Sequence, residues 1–254
     1  MKDVEHDRPG TAVPRGAIPQ VSSMIIANLM NHVQLGQGVG VDALPSDHAT
    51  LVCWVIDRTG SMSGNRNDLI NAYNEGLAAL KASKASDEIM MQTLLFDSDG
   101  GTEVLHAYLP IDQVPDLSQS TYALGGMTNL NDAVFDGISG AVAYGASLRN
   151  GGTITKVVVV IMTDGGENDS RYHSESDLRT LIEDLLREEI YTIALVGFGY
   201  DASTYANKIG IPAGNVLNAG SSASEIRRAL GTVSKSTTRA SQTTIATGSQ
   251  SFFN

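Results

Sequence analysis

Disulfide chemistry has no footing in this sequence: one cysteine, Cys53, in 254 residues excludes a disulfide framework and any zinc site built on cysteine. Basic residues are scarce as well. Seventeen Lys and Arg stand against 28 Asp and Glu, a formal net charge of −11. That deficit argues against bulk nucleic-acid binding, which needs clustered cations to release counterions, and it disfavours docking on anionic membranes. No run approaches the roughly 18 apolar positions of a membrane span. The five histidines, His6, His32, His48, His106 and His173, show no metal-ligand spacing. The first residues, Met1-Lys2-Asp3-Val4-Glu5-His6-Asp7, lack the apolar stretch of a secretory signal. The expectation from these absences is a cytoplasmic protein.

What the chain does have is a globular composition, with 42% hydrophobic and 18% charged residues. Four of its seven prolines, Pro9, Pro14, Pro19 and Pro45, fall early, so residues 1–49 read as an irregular N-terminal arm. One apolar stretch, Met24 to Val33, interrupts that arm. Residues 234–254 carry five Ser and five Thr and read as a C-terminal tail, with Phe252-Phe253 as its only aromatic hold. Apolar stretches of this kind are not expected to stay in water if the ends are ordered. Residues 50–233 form the domain between them.

Within that domain, continuous apolar runs of strand length occur at Leu51–Ile56, Met90–Phe96, Val157–Met162 and Thr192–Val196. Runs without polar alternation fit strands covered on both faces. Glu103–Tyr108 follows Met90–Phe96 across a short Asp/Gly turn, which predicts a hairpin and one antiparallel edge strand. A last short strand is expected at Asn215–Leu217. Helical spacing appears between the runs: Leu69/Tyr73/Leu77/Leu80, Leu130/Val134/Ile138/Ala141, Leu178/Leu181/Ile182/Leu185 and Ile226/Leu230/Val233. Ser174-x-x-Asp177 opens the third of these, and Ser222-x-x-Glu225, of capping-box form, opens the fourth. The alternation predicts an α/β fold: a doubly wound, mostly parallel sheet with helices on both faces. Such folds bind ligands beyond the carboxyl ends of the strands, where strand order reverses.

The strand ends therefore hold the functional question. The first run ends in Asp57-Arg58-Thr59-Gly60-Ser61, one carboxylate and two hydroxyls at alternate positions on a loop entering a helix. Hard oxygen donors of this kind suit Mg²⁺ or Mn²⁺, and helix capping by Thr59 or Ser61 is the plainer alternative. Gly125-Gly126-Met127-Thr128 precedes the second helix, its glycines permitting close backbone approach and Thr128 adding a hydroxyl. The third run ends in Thr163-Asp164-Gly165-Gly166-Glu167-Asn168-Asp169, with Asp164 directly off a buried strand.

The set Asp57-x-Thr59-x-Ser61, Thr128 and Asp164 resembles the metal-ion-dependent adhesion site of von Willebrand factor type A (vWA) domains. The resemblance covers about Thr50 to Val233. It implies a Rossmann-like vWA fold in which Thr59, Ser61 and Thr128 coordinate Mg²⁺ (or Mn²⁺), while Asp57 and Asp164 act mainly through water. It further implies a metal-dependent protein-binding adaptor without catalysis, whose partner supplies an Asp or Glu to the ion. Intracellular members of the family work beside AAA+ ATPases or in multi-protein assemblies, and the same placement is implied here.

Two other readings compete. Asp57-Arg58-Thr59-Gly60-Ser61 also resembles the phosphorylated loop of haloacid-dehalogenase-type enzymes, with Asp57 as nucleophile in phosphoryl transfer. Against it, Thr59 stands where soluble phosphatases of this kind place an acid–base carboxylate. A structural subunit with a degenerate metal site is the third. Asp57, Asp97, Asp99, Asp164, Glu167 and Asp169 are all expected on loops at one sheet edge, a cluster that a cation would have to neutralise.

Overall fold

The computed structural model describes residues 35–40, 44, 46–243 and 251–254. Six strands form one sheet: β1 (His48–Asp57), β2 (Ile89–Asp97), β3 (Gly101–Pro110), β4 (Ile154–Thr163), β5 (Tyr191–Phe198) and β6 (Val216–Ala219). Their spatial order is β3-β2-β1-β4-β5-β6. All pairs are parallel except the β2–β3 hairpin, so β3 is the antiparallel edge strand. Mostly parallel, with one antiparallel edge and helices on both faces, this is the vWA/Rossmann-like topology. Strand order reverses between β1 and β4, which places the crevice of a doubly wound sheet beyond Asp57 and Thr163.

Among the described residues five α-helices flank the strands: α1 (Arg66–Lys81), α2 (Leu130–Asn150), α3 (Glu175–Leu186), α4 (Ser203–Lys208) and α5 (Ala223–Gln242). Side chains alternate across each buried strand, which splits the core into two layers. Leu51, Cys53 and Val55 of β1 pack with Leu130, Val134 and Ile138 of α2 and Leu178 and Leu181 of α3. Val52, Trp54 and Ile56 face Leu69, Tyr73 and Leu77 of α1 and Ile226 and Leu230 of α5. Gly76 lets α1 and α5 approach closely, since a Cβ there would lie 2.9 Å from Ser234 Oγ. Burial of the continuous apolar runs on both faces explains why these strands carry no polar alternation.

Two boundaries differ from sequence expectation. Helix α5 continues to Gln242, well past residue 233. Some of its Ser and Thr side chains donate to carbonyls one turn back in the helix, as in Ser234 Oγ to Leu230 O (3.0 Å) and Thr238 Oγ1 to Ser234 O (3.0 Å). Helix α4 follows β5 in a segment for which the sequence reading named no helix. Of the arm, Met24–Val33 lies outside the described residues. Leu35 is buried, and Val39 N–H donates to Tyr108 O at 3.3 Å along the β3 edge. Phe252 is buried too, its N–H donating to Asn215 Oδ1 at 2.9 Å.

Candidate functional site

Asp57 ends β1 with no exposed surface, because parallel pairing on both sides carries β1 to the sheet's carboxyl edge. Its Oδ1 accepts from Thr59 N–H at 2.8 Å and its Oδ2 from Thr163 Oγ1 at 2.7 Å. The Thr59 and Ser61 hydroxyls lie 2.9 Å apart, and Ser61 Oγ donates to Asp164 Oδ1 at 2.7 Å. One continuous chain of oxygens thus links the loop after β1 to the loop after β4.

Thr128 comes from the loop before α2 and is nearly buried. Its N–H donates to Asn168 Oδ1 at 2.9 Å, and its carbonyl accepts from Asn168 and Asp169 N–H, each at 3.1 Å. A Cβ built on Gly165 would stand 4.0 Å from Thr128 Oγ1, so this hydroxyl faces the Asp164–Gly165 turn. All five sequence-identified residues, Asp57, Thr59, Ser61, Thr128 and Asp164, therefore occupy adjoining loops at one end of the sheet. Sequence reasoning missed Thr163, which binds Asp57, and Asn168, which fixes the Thr128 backbone. Asn168 was visible only as a member of the loop after the third apolar run, and nothing local marks its partner.

Burial pushes the Asp57 carboxyl above its ordinary range, and the neighbouring Asp164 charge adds to that rise. Asp164 is raised for the same first reason, loss of solvation. Neither carboxylate has an ion-pair partner among the described residues. Tyr122 OH donates to the Asp57 carbonyl and closes the crevice from the α1 side.

The six acids do lie at strand ends or on loops at one sheet edge, but they do not converge into a metal-holding group, and the metal-site label is corrected accordingly. Among the described residues no three or more His, Cys, Asp or Glu side chains assemble to hold a metal ion. Of the remaining acids, Asp97, Glu167 and Asp169 are engaged elsewhere. Asp97 binds the Arg58 guanidinium, and its Oδ1 accepts from Asp99 N–H (2.7 Å) and Gly100 N–H (2.8 Å). Burial works against its charge, but the Gly100 N–H and Arg58 outweigh it and hold the carboxyl low. Glu167 accepts from Asn131 N–H at 2.7 Å at the start of α2, and from Ser170 N–H at 2.7 Å. Asp169 lies 3.6 Å from Arg171. What remains is a set of two carboxylates and three hydroxyls. As a donor set it suits one hard divalent cation, since the Thr59, Ser61 and Asp164 oxygens already lie within hydrogen-bond distance of one another and the buried Asp57 and half-buried Asp164 carboxylates have no ion-pair partner among the described residues.

No family model matches the sequence, and no curated protein matches it. Solved structures do resemble the fold. The pilus adhesin SpaC from Lactobacillus rhamnosus GG, in its open conformation, superposes with a TM-score of 0.55 at 10% identity over 76% of this chain and 30% of that one. A second form of the same adhesin gives 0.54 at 10% identity over 75% and 31%. Proximal thread matrix protein 1 from the mussel byssus gives 0.51 at 14% identity over 73% and 47%. The chain thus spans from 30% to 47% of the length of these matched proteins, and the likeness is one of fold. A pilus adhesin and a byssal thread protein do not support an intracellular, cytoplasmic type, so that assignment is withdrawn. The expected AAA+ ATPase rested on the same placement and is withdrawn with it.

Proposed function

We propose that this chain is a non-enzymatic protein-binding module whose contact face is the carboxyl edge of the sheet. The observation that supports it is the oxygen chain from Asp57 through Thr59 and Ser61 to Asp164, left without a counter-charge at the topological switch point. A carboxylate buried as Asp57 is, with a second one close by and no counter-charge, is costly unless it serves a ligand. The finer part of the proposal is that Thr59, Ser61 and Thr128, with Asp57 and Asp164 directly or through water, hold one Mg²⁺ or Mn²⁺. When bound, such an ion presents a hard positive site to an anionic oxygen of the partner, an Asp or Glu side chain. The protein's own residues fix the direction of approach: Tyr122 blocks one side, and the glycines at 125 and 126 keep the loop low. That both matched proteins are named for adhesion or a matrix role, not for a reaction, is consistent with this reading.

Phosphoryl transfer by Asp57 is disfavoured by geometry. Both carboxylate oxygens are committed, to Thr59 N–H and Thr163 Oγ1, and no acid–base carboxylate stands at position 59. Calorimetric titration tests the proposal: one Mg²⁺ or Mn²⁺ site is expected, weakened at least about tenfold in Thr128→Ala and lost in Asp57→Ala. An unchanged isotherm in Asp57→Ala refutes the cation assignment.

A further inference from the structure

Asp97 lies forty residues from Asp57 in sequence and beside the same site in space. Its side chain is 3% exposed and bound to the Arg58 guanidinium, while Arg58 is the residue that follows Asp57. Arg58 ties the same region through its backbone: its N–H donates to Phe96 O at 3.0 Å, and its carbonyl accepts from Gly125 N–H at 2.9 Å. Gly125 in turn rests on the Asp97 carboxylate. A Cβ at position 125 would stand 2.7 Å from Asp97 Cγ and 2.8 Å from both carboxylate oxygens, closer than real Cβ contacts allow. The following residues continue the attachment. Gly60 N–H donates to Gly126 O at 3.2 Å, Ser98 N–H to Met127 O at 2.8 Å, and Met127 N–H to Ser98 Oγ at 2.8 Å.

We propose that Asp97 is a positioning residue for the Gly125–Thr128 loop, its carboxylate serving as the floor that sets how far Thr128 stands from Asp57. The proposal rests on the reading of these loops as the binding site. A buried ion pair is a poor source of stability, because desolvation offsets the attraction. Its use here is geometric: Arg58 holds the carboxylate fixed from the β1 side, and the backbone N–H groups of residues 99 and 100 hold it from the hairpin side. The loop then has one height at which it can lie. That requirement accounts for glycine at 125, which no turn conformation demands, since its φ is not among the positive values found at Gly101, Gly152, Gly199 and Gly210.

A double-mutant cycle tests this, read by Mg²⁺ titration and by thermal unfolding of the same four proteins. Gly125→Ala in the wild-type background is expected to weaken Mg²⁺ binding by about tenfold or more, because the new methyl lifts the loop off Asp97. In the Asp97→Ala background the same substitution is expected to cost less than about twofold, since the obstructing carboxylate is gone. If Asp97 only caps the hairpin turn, Gly125→Ala costs the same in both backgrounds, and the proposal is overturned. Should Gly125→Ala alone fail to fold, recovery of folding in the double variant supports the proposal and continued failure overturns it. If the wild-type protein binds no Mg²⁺, the cation reading fails by itself. The unfolding cycle still decides whether Asp97 and Gly125 are coupled.

Discussion

Asp57 is held where a charge is expensive, and that expense has a sign that can be measured. Its folded-state pKa lies above the ordinary 3.8, chiefly through burial, so near and above that value the folded chain retains a proton the unfolded chain has lost. The stabilisation is complete below 3.8 and disappears as pH rises through the raised folded-state value, and Asp164 adds in the same direction. Without a cation, then, the metal-free protein is expected to lose stability as pH rises from 4 through the raised pKa values. Asp57→Asn keeps the acceptor for Thr59 N–H and removes the charge. In chelator at pH 7 this variant should melt above wild type, at roughly 2–4 °C for each kcal/mol recovered in a domain of this size. With saturating Mg²⁺ the order should reverse, because only wild type gains from the ion. A lower melting temperature for Asp57→Asn in chelator would show that the carboxylate is structural.

At the scale of elements, the strands were legible because both faces of β1, β2, β4 and β5 are covered, which leaves continuous apolar runs in the sequence. The second half of α5 was not legible, because Ser234, Ser236, Thr237 and Ser241 are small polar residues that are nonetheless buried. Two of them meet partners far away in sequence, Ser234 Oγ donating to Gly76 O at 3.0 Å and Ser241 Oγ accepting from Thr50 Oγ1 at 3.0 Å. The site divides in the same way. Asp57, Thr59, Ser61, Thr128 and Asp164 stand out because each sits just after an apolar run or just before a helix. The roles of Asp97, Asn168 and Glu167 are set by pairings across loops, which local spacing does not encode. The tail illustrates a third case. Phe252 was recognisable as an aromatic that ought to find cover, and it enters the α1–α5 layer of the core. Phe253 N–H donates to Gly214 O at 3.1 Å, and Arg239 binds the Phe252 carbonyl, so the end of the chain is tied to both β6 and α5 regions. Phe252→Ala is therefore expected to cost about 3–5 kcal/mol in urea unfolding, the usual loss for emptying a buried aromatic site. A cost below about 1 kcal/mol would mean that the tail does not hold the helix.

Across the whole molecule, charge is sorted by the direction of the helices. Each helix runs back against the strands, so helix amino ends lie near the candidate site and carboxyl ends at the opposite pole. Glu167 meets the start of α2 through Asn131 N–H, at the positive end of that dipole. The opposite pole collects cations. Lys156 Nζ donates to the carbonyls of Ala240 (3.0 Å) and Ser241 (2.8 Å) at the end of α5, and Arg149 near the end of α2 donates to Thr155 Oγ1 (2.6 Å) and Tyr191 OH (3.0 Å). Lys156 and Arg149 line a recess of about 1130 Å³, but they are engaged with helix-end carbonyls and hydroxyls, which gives them a structural task without any anionic ligand. On the proposed reading the partner face lies at the acidic pole of a chain with net charge −11, where a free polyanion is repelled before it reaches the oxygen donors. A partner carboxylate can approach only if a cation is in place and its flanking residues are neutral or basic. Partner affinity should then depend on the cation far more steeply than on ionic strength. The comparison is binding in Mg²⁺, in Ca²⁺ and in chelator, each at low and high salt. Loss in chelator at both salt levels is the expected result, with Ca²⁺ weaker than Mg²⁺ because a small hydroxyl-lined site favours the shorter coordination distance. Binding that survives chelation and falls instead with salt would place the contact on surface charges rather than on Asp57, Thr59, Ser61, Thr128 and Asp164.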